Sequence, residues 1–321
     1  MTKSKFVVGR IALRLAAVVL ALSILAALTV HSGKTEKRNA FNNPEFLSML
    51  TAAYGAESVA LDPHIRDFKL PEQIPWKKRE AGGETALVYG DPAKPGFYVY
   101  MLKRGPNNWS KSHFHDNDRF ITVLQGTFWV GTGNFDMDRT VAVKAGGFVR
   151  DIANQPHFDG TREDGTMIEI MGMGPAGSHD TPLPDPASSD WKKGPVIDSA
   201  KRQVSRPEDM VWTKRDNGSA INLYGNPDKT GMYVQYLKRN PNNWSRLHYH
   251  PTDRFITVLG GTMYLGTGTV LDQNKTVGLP KFGFVRDLAQ GVHYDGTKDE
   301  DLWIEIAGMG PATSTTYEPP K

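Results

Sequence analysis

The strongest constraint on the fold is an internal repeat of about 135 residues. Residues 96–133 align without gaps with residues 231–268, and 25 of the 38 positions are identical. A second block, residues 147–161, aligns with residues 283–297 at 10 of 15 positions. Repeats that stack into solenoids are only about 20–50 residues long. A unit of this length in a chain of 321 residues therefore predicts two copies of one whole domain.

Each copy has the pattern of β-structure. Short runs rich in Val, Ile, Thr, Tyr and Phe, such as Phe97–Leu102 and Met167–Met171, lie between Gly, Pro, Asn and Asp residues. No long segment with helical periodicity occurs within either copy. We therefore predict an all-β chain in which each copy closes into a sandwich or barrel, because closure removes exposed sheet edges.

The two copies are flanked and joined by other segments. A short helix is predicted over Pro44–Ala60, and the extended stretch Leu61–Pro75 is expected to pack on the first copy. Four prolines among polar residues after residue 181 indicate a linker. The predicted segments are a leader over residues 1–32, an N-terminal extension over 33–74, a first domain over 75–176, a linker over 177–205, a second domain over 206–314 and a tail over 315–321.

The positive charge of the chain is concentrated in the leader. The whole chain carries a formal charge of +3, but residues 1–40 hold seven basic side chains and one acidic, so residues 41–321 carry −3. Basic residues precede the apolar run Ile11–Val30, a pattern of a secretory signal peptide or of an uncleaved membrane anchor. Either reading places the body outside the cytoplasm. We predict an exported, periplasmic or extracytoplasmic protein with no nucleic-acid partner.

Six of the nine histidines form a repeated pattern. Cysteine is absent, which excludes a thiolate nucleophile, a Cys-ligated zinc site and an iron–sulfur cluster. In each copy an H-x-H pair is followed about 42 residues later by another His, and residues i and i+2 of a strand point to the same face. A third His from a facing strand completes a set suited to a catalytic metal with open positions. The candidate ligands are His113, His115 and His157 in the first copy and His248, His250 and His293 in the second.

These motifs resemble those of the cupin superfamily, and the pair of copies resembles a bicupin. The first cupin motif, G-x5-H-x-H-x3,4-E-x6-G, is similar to His113–Gly126 and His248–Gly261. The second, a Gly-rich turn followed by a histidine, is similar to Gly147–His157 and Gly283–His293. The resemblance covers roughly residues 75–175 and 211–311. It implies two tandem double-stranded β-helix, or jelly-roll, barrels with a metal held inside each by the three histidines.

Both copies depart from the cupin motif at its metal-ligating glutamate. Arg119 and Arg254 occupy that position, so the resemblance favours a three-His site of the kind found in cupin dioxygenases. A substitute carboxylate ligand is left open. It would come from Asp118 or Asp253 if the strand shifted its register.

Four further acidic residues recur in the two copies. Glu169 and Glu305 lie inside apolar strands, where an unpaired carboxylate is unfavourable, so ion pairs with the two arginines are the alternative to a substrate-binding role for those arginines. Glu169 facing the metal, as a displaced fourth ligand, is the other interpretation. Asp159 and Asp295 follow the third histidine by two residues and can accept its imidazole N–H, which fixes the tautomer. They can equally begin a turn, because D-G-T follows.

Electrostatics indicate the class of substrate. Three neutral imidazoles leave a divalent ion its full charge, and a nearby guanidinium raises the local potential and pairs with planar carboxylates. We therefore expect a small anionic or enolisable substrate, with Arg119 and Arg254 orienting the anion. The leading hypothesis is an exported three-His, non-haem oxidoreductase of the dioxygenase type with Fe(II), although Mn, Ni, Zn and Cu fit the same ligands.

Two alternatives remain open. The first is a non-catalytic bicupin that binds or senses a small ligand, which the replacement of the glutamate in both copies favours. The second is metal-assisted lyase or isomerase chemistry, in which the ion acts as a Lewis acid. Membrane contact would come only through an uncleaved leader, and a homo-oligomer is left open.

Overall fold

The computed structural model describes residues 60–182 and 194–319, and residues from Ala60 onward form one compact unit. The predicted leader, and the predicted helix up to its last residue, lie outside the described residues. Within the described ranges, the only helical segments are two short 3-10 helices, Pro71–Gln73 and Pro207–Asp209. In this part of the chain no helix has the length and apolar character needed to cross a membrane.

The first half of the described chain contains twelve strands. They are β1 (Arg66–Lys69), β2 (Lys77–Lys78), β3 (Glu84–Tyr89), β4 (Gly96–Arg104), β5 (His113–His115), β6 (Arg119–Thr132), β7 (Val141–Lys144), β8 (Phe148–Asp151), β9 (His157–Gly160), β10 (Thr166–Gly174), β11 (Ser178–Asp180) and β12 (Arg202–Ser205).

The second half repeats this order from β2 onward. Its strands are β13 (Thr213–Arg215), β14 (Gly218–Tyr224), β15 (Gly231–Arg239), β16 (His248–Tyr249), β17 (Arg254–Gly260), β18 (Thr262–Thr267), β19 (Val277–Pro280), β20 (Phe284–Asp287), β21 (His293–Gly296), β22 (Leu302–Gly310) and β23 (Thr315–Thr316). We call β2–β12 the first barrel and β13–β23 with β1 the second barrel. The predicted all-β fold with two tandem barrels is confirmed.

One long strand connects the layers of the first barrel. The first part of β6 pairs with β10 and β8, and its last part pairs with β7 and β9. Between them Gly126 has φ of +74°, and an added Cβ would lie 2.1 Å from the carbonyl oxygen of Gly165. In the second barrel the same turn, at Gly261, separates β17 from β18. Glycine is required at both positions because other residues are strained at this φ.

The two barrels exchange their first strands. Strand β1 lies just before the first copy but pairs with β20 of the second barrel, and β12 lies just before the second copy but pairs with β8 of the first. The prediction that Leu61–Pro75 packs on the first copy is therefore wrong for β1. Strands β11 and β12 also lie within the segment predicted as a linker, because each completes a sheet of the first barrel.

The largest hydrophobic core lies between the barrels. It combines Met101, Phe120 and Met171 of the first copy with Phe255 and Tyr236 of the second. Separate cores fill the interior of each barrel. Strand β10 is buried along most of its length because alternate side chains enter the barrel interior and the interface between barrels. This arrangement explains its almost continuous apolar sequence.

Candidate metal centres

The first three histidines meet on two neighbouring strands. His113 and His115 lie on β5, and His157 begins β9, where it is the direct partner of His113. The ring centroids of the three imidazoles are 4.6 to 5.1 Å apart, and one nitrogen from each lies within 4.8 Å of the others. The third ligand was expected from a facing strand, but it comes from the strand hydrogen-bonded to β5.

Backbone carbonyls select the tautomer of each imidazole. The Nδ1 atoms of His113, His115 and His157 lie 2.8, 3.0 and 2.9 Å from the carbonyl oxygens of Lys111, Gly177 and Gln155. Because a carbonyl only accepts, each Nδ1 carries the hydrogen and each Nε2 carries the lone pair of the neutral ring. Such contacts orient the histidines of metal sites.

The second copy repeats the arrangement. The imidazole centroids of His248, His250 and His293 are 4.3 to 5.1 Å apart. Their Nδ1 atoms lie 2.7, 3.1 and 2.9 Å from backbone carbonyl oxygens. Both predicted three-His sets are therefore brought together, each with three Nε2 atoms able to bind an ion.

Burial keeps four of the six imidazoles neutral. It lowers the pKa of His115 and of His250 to about 3, with a further contribution from Arg119 and Arg254 respectively. Burial likewise lowers the pKa of His157 and of His293 to about 4. Neutral imidazole is the form that binds a metal. The Nε2 atoms of His157 and His293 are also buried without a hydrogen-bond partner, so both sites fit a divalent transition metal.

Asp159 and Asp295 do not fix the histidine tautomers. Arg104 and Arg202 hold the Asp159 carboxylate, each with an N–O distance of 2.9 Å. Burial would raise the pKa of Asp159, but these two guanidinium groups hold it below its usual range. In the second barrel Arg239 and Arg66 hold Asp295 in the same way. The predicted role is wrong because backbone carbonyls already accept the imidazole N–H groups.

Asp118 and Asp253 bind elsewhere. Arg150 donates from Nε to Asp118 at 2.8 Å, and the backbone N–H of Ala153 donates to its other oxygen at 2.8 Å. Asp253 is held by Arg286 and by the backbone N–H of Ala289. The strand keeps its register, so neither residue replaces the missing glutamate.

Glu169 and Glu305 lie in the interface between the barrels. Glu169 accepts a hydrogen bond of 2.6 Å from Thr257 of the other copy, and Glu305 accepts one from Thr122. Side chains alternate along a strand, so the neighbours of Glu169, Ile168 and Ile170, face the barrel interior while Glu169 faces away. The predicted ion pairs with Arg119 and Arg254, and the role of Glu169 as a displaced ligand, are therefore wrong.

Arg119 and Arg254 remain near the histidines. Arg119 begins β6 and lines the same cavity as His113 and His115. Its Nε is buried without a hydrogen-bond partner. The equivalent Arg254 donates to the carbonyl of Ala312. Arg119 is thus placed to bind an anion beside the first three-His set.

Two buried arginines were missed by the sequence analysis. Arg202 of β12 binds Asp151 and Asp159, and Arg66 of β1 binds Asp287 and Asp295. Both side chains are fully buried. A signal exists: residues 66–79 and 202–215 are identical at six of 14 positions at an offset of 136, so the repeat extends back to β1 in the first copy and to β12 in the second.

The first barrel contains a cavity of about 460 Å³ beside its histidines. Such a volume falls within the range of small-molecule sites. The wall combines cationic, acidic and apolar side chains. The acidic ones are Asp151, Asp159 and Asp180, and Asp180 of β11 is the strand partner of His113. The cationic residues of the lining are Arg79, Arg104, Lys111 and Arg119, and the apolar ones include Tyr100, Ile121, Phe128, Ile168 and Ile170.

No protein-family model and no curated protein sequence matches the chain. Solved structures do match. Oxalate decarboxylase of Lactobacillus farciminis, in a formate complex, aligns with a TM-score of 0.55 and 14% identity, over 80% of this chain and 89% of that one. Oxalate decarboxylase from Bacillus subtilis at pH 4.6 aligns with a TM-score of 0.55 and 13% identity, over 89% and 87%. At this identity the matches show a shared fold.

Proposed function

The chain has the fold of a bicupin, and we propose that it is a metal-dependent enzyme acting on a small anionic substrate in its first barrel. One observation supports this most directly. Three imidazole Nε2 atoms converge beside a cavity whose wall carries Arg79, Arg104, Lys111 and Arg119. Histidine nitrogens favour a transition metal, and clustered guanidinium groups favour carboxylates or phosphates.

The residues of the cavity have separable roles in this proposal. His113, His115 and His157 would hold the metal, which when bound supplies a Lewis acid with positions open to substrate. Arg119 lines the cavity beside these histidines, and its guanidinium would bind the substrate anion. The apolar wall around Ile121 and Ile168 excludes water, which strengthens electrostatic contacts inside the site.

For the reaction we propose oxygen-dependent oxidation with Fe(II), because each three-His set resembles the histidine ligands of cupin dioxygenases. A metal-assisted lyase reaction is the second candidate. The fold neighbours named oxalate decarboxylase and the cationic wall of the cavity favour it. The two reactions differ in one measurable quantity, because only the oxygenase consumes O₂.

The test begins with elemental analysis of the purified full chain after loading with Fe(II), Mn(II) or Zn(II) separately. Oxygen uptake and CO₂ release are then followed with a panel of small dicarboxylates, diketones and hydroxyaromatic acids, in air and without oxygen. Oxygen-dependent turnover supports the oxygenase, and anaerobic CO₂ release supports the lyase. Metal binding without turnover of any panel member would favour the ligand-binding alternative. The control is His113→Ala, which removes one ligand of the first set.

We further propose that the body of the protein is exported, on the basis of the charged and apolar leader. The test is fractionation of cells that express the full chain, with N-terminal sequencing of the recovered protein. A cytoplasmic product with an intact N-terminus contradicts the proposal.

A further inference from the structure

In each barrel a carboxylate oxygen faces a buried imidazole nitrogen that has no hydrogen-bond partner. In the first barrel Oδ2 of Asp151 lies 3.4 Å from Nε2 of His157. In the second, Oδ2 of Asp287 lies 3.5 Å from Nε2 of His293. All four side chains are at most 3% exposed.

The two facing atoms are both acceptors. Nδ1 of His157 donates its hydrogen to the carbonyl of Gln155, so Nε2 of the neutral ring presents a lone pair. An ionised carboxylate such as that of Asp151 also only accepts. Two buried lone pairs that face each other repel, and a cation bound by both removes that repulsion.

The spacing fits two ligands of one metal ion. With metal–ligand distances of about 2.0–2.2 Å, adjacent ligand atoms around one ion lie roughly 3.0–3.5 Å apart. The observed separations of 3.4 and 3.5 Å agree with this range in both barrels. The same separation thus recurs in the duplicated block of both copies.

We infer that Asp151 and Asp287 are the carboxylate ligands of the two metal centres, an inference that depends on the proposed metal binding. Arg119 replaces the motif glutamate, and its direct partner across the sheet is Asp151. In the second barrel Arg254 is the partner of Asp287 in the same way. The carboxylate that the cupin motif places at the position of Arg119 or Arg254 is thus supplied by the neighbouring strand.

The exchanged strands hold these carboxylates in place. Nε of Arg202 donates to Oδ1 of Asp151 at 2.6 Å, which leaves Oδ2 directed at His157. Nε of Arg66 donates to Oδ1 of Asp287 at the same distance, and its Nη2 donates to Oδ2 at 3.3 Å. Each metal centre therefore combines ligands from one copy of the repeat with an orienting arginine from the other copy. Such hydrogen bonds orient ligating carboxylates.

The neighbouring carboxylate is less suited to bind the ion. Asp159 lies in the same cluster, but Arg104 and Ser110 contact its Oδ1 and Arg202 contacts its Oδ2. Asp151 keeps one oxygen free of arginine contacts within the hydrogen-bond range. The structure therefore favours Asp151 over Asp159 as a ligand.

The experiment measures Co(II) binding to the full chain, because the visible absorption of Co(II) reports its donor set. We compare the parent with Asp151→Asn, which keeps the shape and removes the charge. The matched control is Asp118→Asn, a carboxylate that is also bound by an arginine but lies away from the histidines. Circular dichroism and thermal unfolding establish that each variant is folded.

The expected result is two Co(II) sites in the parent and in Asp118→Asn, with one of them weakened by at least about 10-fold in Asp151→Asn. Asp287→Asn should weaken the other. Unchanged affinity in a folded Asp151→Asn protein overturns the assignment while leaving the three-His sites intact. A parent that binds no Co(II) overturns the metal centres as well.

A measurement on the parent protein tests the same assignment without a substitution, so it still applies if a variant does not fold. X-ray absorption of the Co(II)-loaded chain should require three imidazole nitrogens and a carboxylate oxygen in the first coordination shell. A spectrum fitted by imidazole and water alone overturns the inference.

Discussion

The two barrels carry the same histidines but differ in the walls around them. Both have the three-His set, the Asp–Arg pairs and an arginine at the position of the motif glutamate. In the first barrel the wall includes Tyr100 and Phe128, whereas the register places Gln235 and Met263 at the equivalent positions of the second. The residues near the metal are shared, whereas part of the surrounding wall differs.

A second difference lies opposite the H-x-H pair. Asp180 is the strand partner of His113, and Thr316 is the strand partner of His248. The side-chain amide of Gln235 donates a hydrogen bond of 2.7 Å to the side-chain oxygen of Asn222. Duplication thus preserved the metal-binding framework twice, while Thr316, Gln235 and Met263 of the second copy replace the ionisable Asp180 and the aromatic Tyr100 and Phe128 of the first. This contrast favours the first barrel as the catalytic one.

The largest effect should come from removing a histidine of the first set. His113→Ala should lower turnover by at least about 10³-fold, because the metal contributes several kcal/mol to the transition state. His248→Ala should remove one metal ion but keep most of the turnover. The measurement is metal stoichiometry together with kcat for the substrate identified in the panel. Equal loss of turnover in both variants contradicts the assignment of catalysis to the first barrel.

The exchanged arginines should give the next largest effect. Arg202→Ala leaves Asp151 and Asp159 buried without their partner, which should reduce the free energy of unfolding by about 3–5 kcal/mol. Metal binding should weaken in the first barrel, although Arg202 belongs to the second copy of the repeat. Arg66→Ala should weaken the second barrel instead. Denaturant unfolding and metal titration check this prediction. If Arg202→Ala weakens metal binding at the histidines of the second copy instead, the exchange is contradicted.

The interface between the barrels should respond to pH. Burial raises the pKa of Glu169 to about 7 and, with the nearby Glu169 carboxylate, raises that of Glu305 well above its usual range. In the unfolded chain these groups lose their protons near pH 4.5, so the folded state binds more protons between that pH and about 7. Because the folded state binds more protons, stability should fall as the pH rises through this window, by roughly 1–3 kcal/mol.

Glu169→Gln tests this pH dependence. The amide cannot ionise and can still bond to Thr257, so unfolding measured between about pH 5 and pH 9 should depend less on pH than in the parent. Stability above neutral pH should increase. A variant whose profile coincides with that of the parent would show that the glutamate pair does not cause the pH dependence.

The smallest effect should come from the cavity wall. Tyr100→Gln gives the first barrel the side chain found in the second, and it should raise KM by about 3- to 10-fold, or roughly 1 kcal/mol, with little change in kcat. Gln235→Tyr, the reciprocal change, should leave both constants unaltered. Steady-state kinetics check the pair of variants, and a KM effect from Gln235→Tyr would place substrate in the second barrel.

The metal-binding framework could be predicted from spacing because each ligand is tied to a short local pattern. Histidines at i and i+2 of one strand must share a face, and the repeat placed the third histidine at a matching distance in both copies. The roles assigned to the aspartates and glutamates failed for a different reason. Asp118, Asp159 and Glu169 each have partners more than 30 residues away in sequence, and a local pattern does not specify such partners.

Local sequence therefore determined the class of fold, the duplication and the two histidine sets, since strand alternation and repeat length act over short distances. The exchange of β1 and β12 arose only when the chain folded, because strand pairing depends on which edges are free in three dimensions. That exchange buries Arg66 and Arg202 beside aspartates of the other barrel, where a charge is stable only when paired. Thus each of the two domains that appear separate in the sequence contributes a strand and a buried arginine to the barrel of the other.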